Sequence, residues 1–346
     1  MTVYFLYYAV VVVFGLIWGN KNKKLYVAIS LLLLFFLIAF RHPSMGIDLQ
    51  YGSEEGYLGA YEFFAGKTWK EIVSRTRFPG YDFGFVIFNK LLSYISGNYQ
   101  TLLIATAALS IIPIFYTIAK ESKDSFLSII IYLGLPSFLM VFSALRQAIA
   151  ISFLFLTIPF IRGKKFLIQL LIILLAAIIH DTALVFILAY PAYHIKIQPA
   201  YRFHTLFFIL VLYCFSSYIF PFFLRIESFY KADNNGSNTL FLVYVFIYFL
   251  CFTFDREGEF NGLLNLFFIT CCIMCFEHLS NVISRLAMYF EMSLILLLPA
   301  VFRKYIKEYN LVRIMLICCF MLAGLYFIKT TYWAMSYPYH FMWEAI

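Results

Sequence analysis

Long apolar stretches, separated by short polar ones, run along almost the whole chain of 346 residues. Apolar runs of roughly 17–25 residues predict transmembrane helices, because such a helix crosses the hydrocarbon core and satisfies its own backbone hydrogen bonds. Division at the polar segments predicts twelve spans, some of them short enough to imply tilts or breaks. Their approximate bounds are 3–19, 25–40, 101–119, 125–141, 144–161, 165–179, 182–194, 205–224, 239–254, 261–277, 285–301 and 312–328.

The polar segments between these spans differ in charge, and the difference predicts an orientation. With the segment NKNKK (20–24) on the inside, the alternating inner segments hold fifteen Lys and Arg against six Asp and Glu. The rest of the chain holds eleven basic and twelve acidic residues. The net charge of +8 therefore follows the positive-inside rule, and we expect no nucleic-acid partner.

The largest polar segment, residues 41–100, is predicted to lie outside. Its stretch FGFVIFNKLLSYIS (83–96) is apolar enough for a thirteenth span, but a span there would place the basic segments KESKD and RGKK outside. The short length of this stretch and its Lys90 favour an interfacial or re-entrant helix on the outer face. We therefore predict a single transmembrane domain, residues 1–346, with 41–100 as an external loop that carries short interfacial helices.

The composition agrees with this class of protein. Hydrophobic residues make up 63% of the chain and charged residues 13%, with a mean hydropathy of +0.86. A soluble domain of this size cannot bury so much apolar surface. The sequence contains none of the motifs G-x-x-x-x-G-K, H-E-x-x-H and G-x-S-x-G, which are typical of soluble nucleotide-binding proteins and hydrolases. The fold class predicted is an all-α polytopic membrane protein.

Three arginines are predicted to lie at the outer ends of spans, the side that the positive-inside rule disfavours: Arg41, Arg146 and Arg285. A charge at membrane depth costs roughly 2.5–3.5 kcal/mol, so Arg146 within FSALRQAIAISFLF should have a partner or a ligand. A single arginine at a helix end often only reaches the lipid headgroups. Three together indicate a shared anion, because a guanidinium group binds two phosphate oxygens at once. We predict that they bind a lipid-linked phosphate or pyrophosphate.

Four further outer residues are candidates for proton transfer: Asp48, Glu55, Asp82 and His180. An imidazole, with an ordinary pKa of about 6.5, suits a general base. An interhelical hydrogen bond is an equally good interpretation of His180 in AAIIHDTALVF. A single carboxylate in a loop is by default a solvated charge. The residues themselves leave open which group is the base.

The chain resembles the EpsG/Wzy-type surface-polysaccharide polymerases from about residue 41 to the aromatic tail YPYHF. The stretches that carry the resemblance occur in the family's order: RHPSMGIDLQYGSEEGY, YDFGFVIFNKLL, FSALRQAIAISFLF, HDTALVF and SRLAMYFE. The strongest are the arginine followed by G-x-D-x-x-Y, at Arg41 to Tyr51, and S-x-x-R-Q-x-x-A, at Ser143 to Ala150. The H-x-x-A-L element at His180 is shorter and mostly apolar.

This resemblance implies a glycosyltransferase that works without a metal or other cofactor. It would transfer the growing glycan from undecaprenyl pyrophosphate to the non-reducing end of another lipid-linked repeat unit. It would lie in the bacterial cytoplasmic membrane as a multi-pass bundle that resembles the lipid-dependent (GT-C-like) glycosyltransferases. Its active site would face the periplasm or the outside, and its product would be a capsule, O-antigen or exopolysaccharide. The implied partners are the lipid-linked donor and acceptor, membrane lipids and a chain-length regulator.

The resemblance also assigns expected roles to the outer residues. Asp48, Glu55 and His180 are expected to be catalytic, and the three arginines are expected to bind pyrophosphate. The residues expected to bind the substrate are Tyr51, Tyr57, Asp82 and Gln147. The sequence has no dense group of carboxylates, so we expect no metal site.

Two other functions stay open at this point. An O-antigen-type ligase, or another lipid-linked glycosyltransferase, would use similar arginines, so the sequence separates it poorly from a polymerase. A transporter or flippase for the lipid-linked oligosaccharide is disfavoured. Transporters commonly show internal repeats and charges near the bilayer midplane. Here no repeat is evident, and the charges lie at the outer ends of the spans.

Overall fold

The computed structural model describes residues 1–19, 21–50, 56–74, 80–226, 237–306 and 308–344. These residues form helices joined by short turns and contain no β-strand, only an isolated antiparallel bridge between Arg41 and Phe341. The α-helices are α1 (Thr2–Trp18), α2 (Lys23–Ala39), α3 (Gly56–Ala65), α4 (Trp69–Ser74), α5 (Phe83–Ser93), α6 (Gln100–Glu121), α7 (Ser125–Gly134), α8 (Leu145–Leu156), α9 (Ile158–Arg162), α10 (Phe166–Ile179), α11 (Ala189–His194), α12 (Arg202–Ile226), α13 (Thr239–Phe254), α14 (Asn261–Met274), α15 (Asn281–Glu291), α16 (Leu294–Tyr305) and α17 (Tyr309–Thr330). Short 3₁₀ helices lie at Ile47–Leu49, Pro136–Val141, Asp181–Leu188, Pro199–Tyr201 and Tyr332–Ala334.

Each of the twelve predicted apolar segments coincides with one helix or with two helices in succession. Within the described ranges, four helical stretches are long and apolar enough to cross a membrane: Gln100–Glu121, Leu145–Arg162, Pro199–Pro221 and Tyr309–Thr330. A fifth is the pair α15 and α16, if the 45° bend between them lies within one span. The structure therefore supports an all-α polytopic membrane protein. The count of twelve spans stays a prediction, because several other apolar helices have only 10–17 residues.

Breaks in the helices occur at two points that matter for the site. α7 ends at Gly134, and Leu135 is extended before the 3₁₀ helix that begins at Pro136. Proline has no N–H to donate and disfavours a helical conformation in the residue before it. α10 ends at Ile179, and His180 is extended, with φ −152°, before the 3₁₀ helix Asp181–Leu188. Non-helical backbone at membrane depth is tolerated only where protein or water covers it.

The centre of the bundle is α7, all ten residues of which are buried. α17 packs directly against it through small residues. A Cβ added to Gly134 would lie 2.5 Å from the Phe320 carbonyl oxygen, and one added to Gly324 would lie 2.5 Å from the Leu133 carbonyl oxygen. Contacts of this kind, backbone against backbone, are typical of helix packing in membranes.

Residues 41–49, here called the Arg41 segment, hold the turn that precedes α8. Arg41 donates a hydrogen bond from Nη2 to the Phe142 carbonyl oxygen at 3.2 Å. The backbone N–H of Asp48 donates to Ser143 Oγ at 3.2 Å. Since α8 begins directly after this turn, the Arg41 segment fixes the start of the helix that carries the R-Q pair of the sequence motif.

The C-terminal tail lies across the Arg41 segment. The N–H of His42 donates to the His340 carbonyl oxygen at 2.8 Å, and the N–H of Met342 donates to the Phe40 carbonyl oxygen at 2.9 Å. The Tyr339 hydroxyl donates to a carbonyl near the end of α2 at 2.6 Å. The tail is thereby joined to the end of α2 and to the Arg41 segment, beside the turn before α8.

Polar contacts between distant parts of the chain gather at two ends of the bundle. At one, here called the basic end, Lys23 donates to the Ser122 carbonyl oxygen and Arg162 pairs with Glu121. Arg303, from the end of α16, donates to the carbonyl that follows Ser122. All these residues come from segments predicted to share one side of the membrane, and the structure brings them together.

At the other end of the bundle, here called the site end, α5, α8 and α15 begin and α10 ends.

Candidate functional site

Arg146 is the centre of a polar cluster at the site end. Its Nη1 lies 2.8 Å from Asp82 Oδ2 in an ion pair, and its Nε donates to the Tyr57 hydroxyl at 3.2 Å. The Arg146 and Asp82 side chains are 20% and 17% exposed, so both reach solvent. The partner expected for Arg146 is therefore present, and its guanidinium group retains an exposed edge.

Asp82 occupies the N-cap position of α5 with an extended backbone. An aspartate there commonly accepts a hydrogen bond from the first turn of its helix. Asp82 makes no such side-chain cap, and its carboxylate is directed to Arg146 instead. The absence of a locally stabilising hydrogen bond, in favour of a distant contact, is typical of functional sites.

His180 lies against the same carboxylate. Its Nδ1 is 3.8 Å from Asp82 Oδ2, beyond hydrogen-bonding distance, and this buried nitrogen has no hydrogen-bond partner in the described structure. The whole His180 side chain is 21% exposed. Burial alone would raise the pKa of the Asp82 carboxyl, but His180 and the charge of Arg146 outweigh it and lower that pKa. Asp82 is therefore ionised at neutral pH, between a guanidinium and an imidazole.

Three aromatic rings surround the guanidinium group. The Cζ atom of Arg146 lies 5.8 Å from the ring centroid of Tyr57, 5.3 Å from that of Tyr81 and 6.0 Å from that of Phe85. Cation–π contacts of this length hold a guanidinium in place without occupying its N–H groups. Burial raises the pKa of Tyr57 and raises that of Tyr81 to about 12, so both hydroxyls stay neutral.

Gln147, the next residue on α8, ties this cluster to α15. Its Nε2 donates to the Arg285 carbonyl oxygen at 2.8 Å, and the Gln147 side chain is buried. A second bond joins α15 to the 3₁₀ helix that follows His180: the Thr182 and Tyr289 hydroxyls lie 2.7 Å apart. The backbone of Arg285 is thus fixed beside the residue that follows Arg146, and the Arg285 side chain is half-buried.

Arg41 differs from the other two predicted arginines. It is fully buried, and all three of its nitrogens donate to backbone carbonyls: Nε to Met45, Nη1 to Ile38 and Nη2 to Phe142. Asp48 lies closer to the cluster. It is partly exposed, and its charge contributes to the raised pKa of both Tyr57 and Tyr81.

The structure therefore brings together Arg146, Asp82, His180 and Tyr57, with Gln147 and the Arg285 backbone beside them. Tyr51 and Glu55 lie outside the described residues. Tyr81 is not among the residues predicted above, although it follows a glycine and directly precedes Asp82 in the family-like stretch YDFGF. Its adjacency to a predicted site residue was the available signal.

A cavity of about 670 Å³ begins one residue beyond His180. It lies between the 3₁₀ helix after α10 and helices α12, α14 and α15, and its walls are mostly apolar. Lining side chains include Asp181, Thr182, Leu212, Phe220, Ile273 and Leu286. A pocket of this size with few polar groups at one end is typical of a site for a largely apolar ligand.

No curated protein and no solved structure matches the chain. A protein-family model does match it, over residues 24–341, which is almost the whole chain and includes the polar cluster, the Arg41 segment and the tail that covers it. On this match, the chain belongs to the EpsG family.

Proposed function

We propose that this chain is a polysaccharide polymerase that joins lipid-linked repeat units. Membership of the EpsG family supports a polysaccharide-polymerising membrane protein. The donor in this proposal is a glycan on undecaprenyl pyrophosphate, and the acceptor is the non-reducing sugar of a second lipid-linked unit. The reaction takes place at the site end, which faces the outside of the cytoplasmic membrane in a twelve-span arrangement.

The observation that carries the proposal is the position of Asp82 between Arg146 and His180, together with the apolar cavity that Asp181, the residue after His180, begins to line. A lipid pyrophosphate has an anionic head and a long apolar tail. A cation with exposed donors suits the head. An apolar cavity that begins beside the cluster suits the first part of the tail.

In the proposed step, a hydroxyl oxygen of the acceptor sugar forms a bond to the anomeric carbon of the donor. The bond from that carbon to the pyrophosphate oxygen breaks, and the pyrophosphate leaves with the electron pair. Negative charge grows on the leaving oxygens, and the Arg146 guanidinium stabilises it more in the transition state than in the ground state. His180 accepts the proton of the attacking hydroxyl.

Asp82 has two roles in this scheme. Its carboxylate orients the Arg146 guanidinium, and it stabilises the imidazolium that His180 becomes on accepting a proton, as a carboxylate does behind a catalytic histidine. Asp48 and Glu55 then act as acceptor ligands rather than as the base, together with Tyr51. Arg285 contacts the second pyrophosphate.

Arg41 is proposed as a positioning residue, because its donors are taken up by carbonyls and none of its surface is exposed. It acts through the turn before α8 and so through the placement of Arg146. Tyr57, Tyr81 and Phe85 keep the guanidinium oriented and supply rings on which sugars can stack.

Lipid-linked intermediates in cells that lack this chain test the proposal. A polymerase defect leaves single repeat units on the carrier lipid and on the surface, and the wild-type gene restores long chains. Accumulation of long chains on the carrier would indicate a ligase and overturn the proposal.

Reconstitution separates polymerisation from transport. The purified chain in vesicles, supplied with lipid-linked repeat units, is expected to lengthen them. Movement of the units across the bilayer without any lengthening would identify a transporter.

A further inference from the structure

A second pocket, of about 290 Å³, lies at the basic end, away from the proposed active site. Four of its lining residues are cations: Lys23, Lys123, Arg303 and Arg313. They come from four separate parts of the chain, and one carboxylate, Asp124, faces them. The pocket therefore has an excess of positive charge.

This carboxylate already has partners. Asp124 is buried, accepts the N–H of Leu127 as the N-cap of α7, and accepts the Tyr309 hydroxyl at 2.8 Å. It also pairs with Arg313, whose Nη2 is 3.2 Å away. Asp124 thus neutralises Arg313, and the other three cations form no ion pair within the described residues.

Lys23 and Arg303 donate to neutral carbonyl oxygens, those of Ser122 and Lys123 respectively. Nearby carboxylates have other partners: Glu121 pairs with Arg162, and Glu257 and Glu259 pair with Lys304. Across the described ranges, no carboxylate oxygen lies within 4 Å of Lys23, Lys123 or Arg303.

Lys23 precedes the span predicted from residue 25, and burial lowers its pKa. Glu121 opposes this shift, whereas the like charges of Arg303 and Lys123 add to it. An anion in the pocket would relieve this repulsion.

Helix termini add to the positive potential. α2, α7 and α17 all begin at residues that line the pocket: Lys23, Ser125 and Tyr309. The N-terminus of a helix carries a partial positive charge and free N–H groups, which favour bound anions.

We propose that this pocket binds a phosphate-bearing anion. The group it recognises is a phosphate with at least one negative charge, either on the headgroup of an anionic phospholipid or free in solution. Basic pockets between membrane helices are suited to lipid headgroups. The site is separate from the proposed active site, so its test does not depend on the proposed function.

The test compares two double variants of the purified full-length chain in neutral detergent. Lys23→Gln with Arg303→Gln removes two charges from the pocket. Lys164→Gln with Lys165→Gln removes two exposed charges from the same end, just after Arg162, without touching the pocket. The melting temperature is measured against short-chain phosphatidylglycerol, short-chain phosphatidylcholine and inorganic phosphate.

Phosphatidylglycerol is expected to stabilise the wild type and the Lys164/Lys165 variant at similar concentrations. The Lys23/Arg303 variant should need at least roughly tenfold more phosphatidylglycerol for the same rise in melting temperature, since each cation near an anionic headgroup contributes appreciably to its binding. If inorganic phosphate also stabilises the chain, with the same dependence on Lys23 and Arg303, the bound group is free phosphate. If phosphatidylglycerol alone stabilises the chain in this way, the bound group is a lipid headgroup.

Equal responses of the two double variants would overturn the proposal, as would equal stabilisation by phosphatidylcholine. Should the Lys23/Arg303 variant fail to fold, Lys123→Gln replaces it. Lys123 is exposed, so its removal leaves the packing intact.

Discussion

At the scale of single residues, the polar side chains of the site contact distant parts of the chain instead of stabilising the helices next to them. Asp82 leaves its helix uncapped in order to meet Arg146, and His180 interrupts a helix in order to lie beside Asp82. The sequence predicted a ligand or partner for Arg146 from its depth in the membrane. It did not predict that Asp82 is the partner, because the two residues are 64 positions apart in the chain.

Arg146→Lys tests the guanidinium group. Lysine keeps the charge but offers a single ammonium group, which cannot contact two phosphate oxygens side by side as the planar guanidinium group can. The initial rate of polymerisation is expected to fall at least tenfold, or about 1.4 kcal/mol of transition-state stabilisation. Polymer length in cells that carry Arg146→Ala is the companion measurement, and chains of normal length would remove this residue from the site.

His180→Ala tests the proposed base. Polymer should disappear while single-repeat product persists, because the alanine variant has no group to accept the proton. Asp82→Asn serves as comparison. The amide keeps the size of the side chain but cannot stabilise the imidazolium, so its rate should fall less than that of His180→Ala. Unchanged long chains in the His180 variant would show that the residue is structural.

At the scale of elements, the turn before α8 is where distant segments converge. Gly46 packs so closely on it that an added Cβ would lie 2.0 Å from the Phe142 carbonyl oxygen, and its φ of +117° is accessible mainly to glycine. The sequence predicted the helices well, since apolar periodicity and length are local. From the sequence, Arg41 was predicted to bind a ligand. No feature of the neighbouring sequence indicates that Phe142 and the tail at His340 cover this segment.

The contact between α5 and α10 sets the distance from Asp82 to His180. A Cβ on Gly84 would lie 2.5 Å from the Ile178 carbonyl oxygen, so Gly84→Ala must push the start of α5 away. Alanine would otherwise favour the helix by up to about 1 kcal/mol. Polymerisation is expected to fall roughly tenfold or more, because a misplacement of about 1 Å can lower a rate by on the order of a hundredfold.

Gly97→Ala is the matched control for this prediction. An added Cβ there meets no atom within 4 Å, so activity should stay at the wild-type level. Equal activity of the two alanine variants would mean that the approach of α5 to α10 does not position the catalytic groups.

At the scale of the whole molecule, charge separates the two ends of the bundle. The segments that the positive-inside rule assigns to the cytosol meet in the structure at Lys23, Glu121, Arg162 and Arg303. The proposed active site lies where α5, α8 and α15 begin. An enzyme that builds a surface polymer must present its acceptor site to the outside, while anionic lipid attracts the basic end to the inner leaflet.

This arrangement predicts opposite labelling of single cysteines placed at the two ends of a variant without the seven native cysteines. Gly97→Cys, in the connection between α5 and α6 where there is open space, should react in intact cells with a reagent that does not cross membranes. Lys164→Cys, exposed at the basic end, should react only after the membrane is opened. The two positions lie on opposite sides only if an odd number of spans separates them, which the predicted spans 101–119, 125–141 and 144–161 provide. Reaction of both cysteines from the same side would remove one of these spans, and with it the external position of the site.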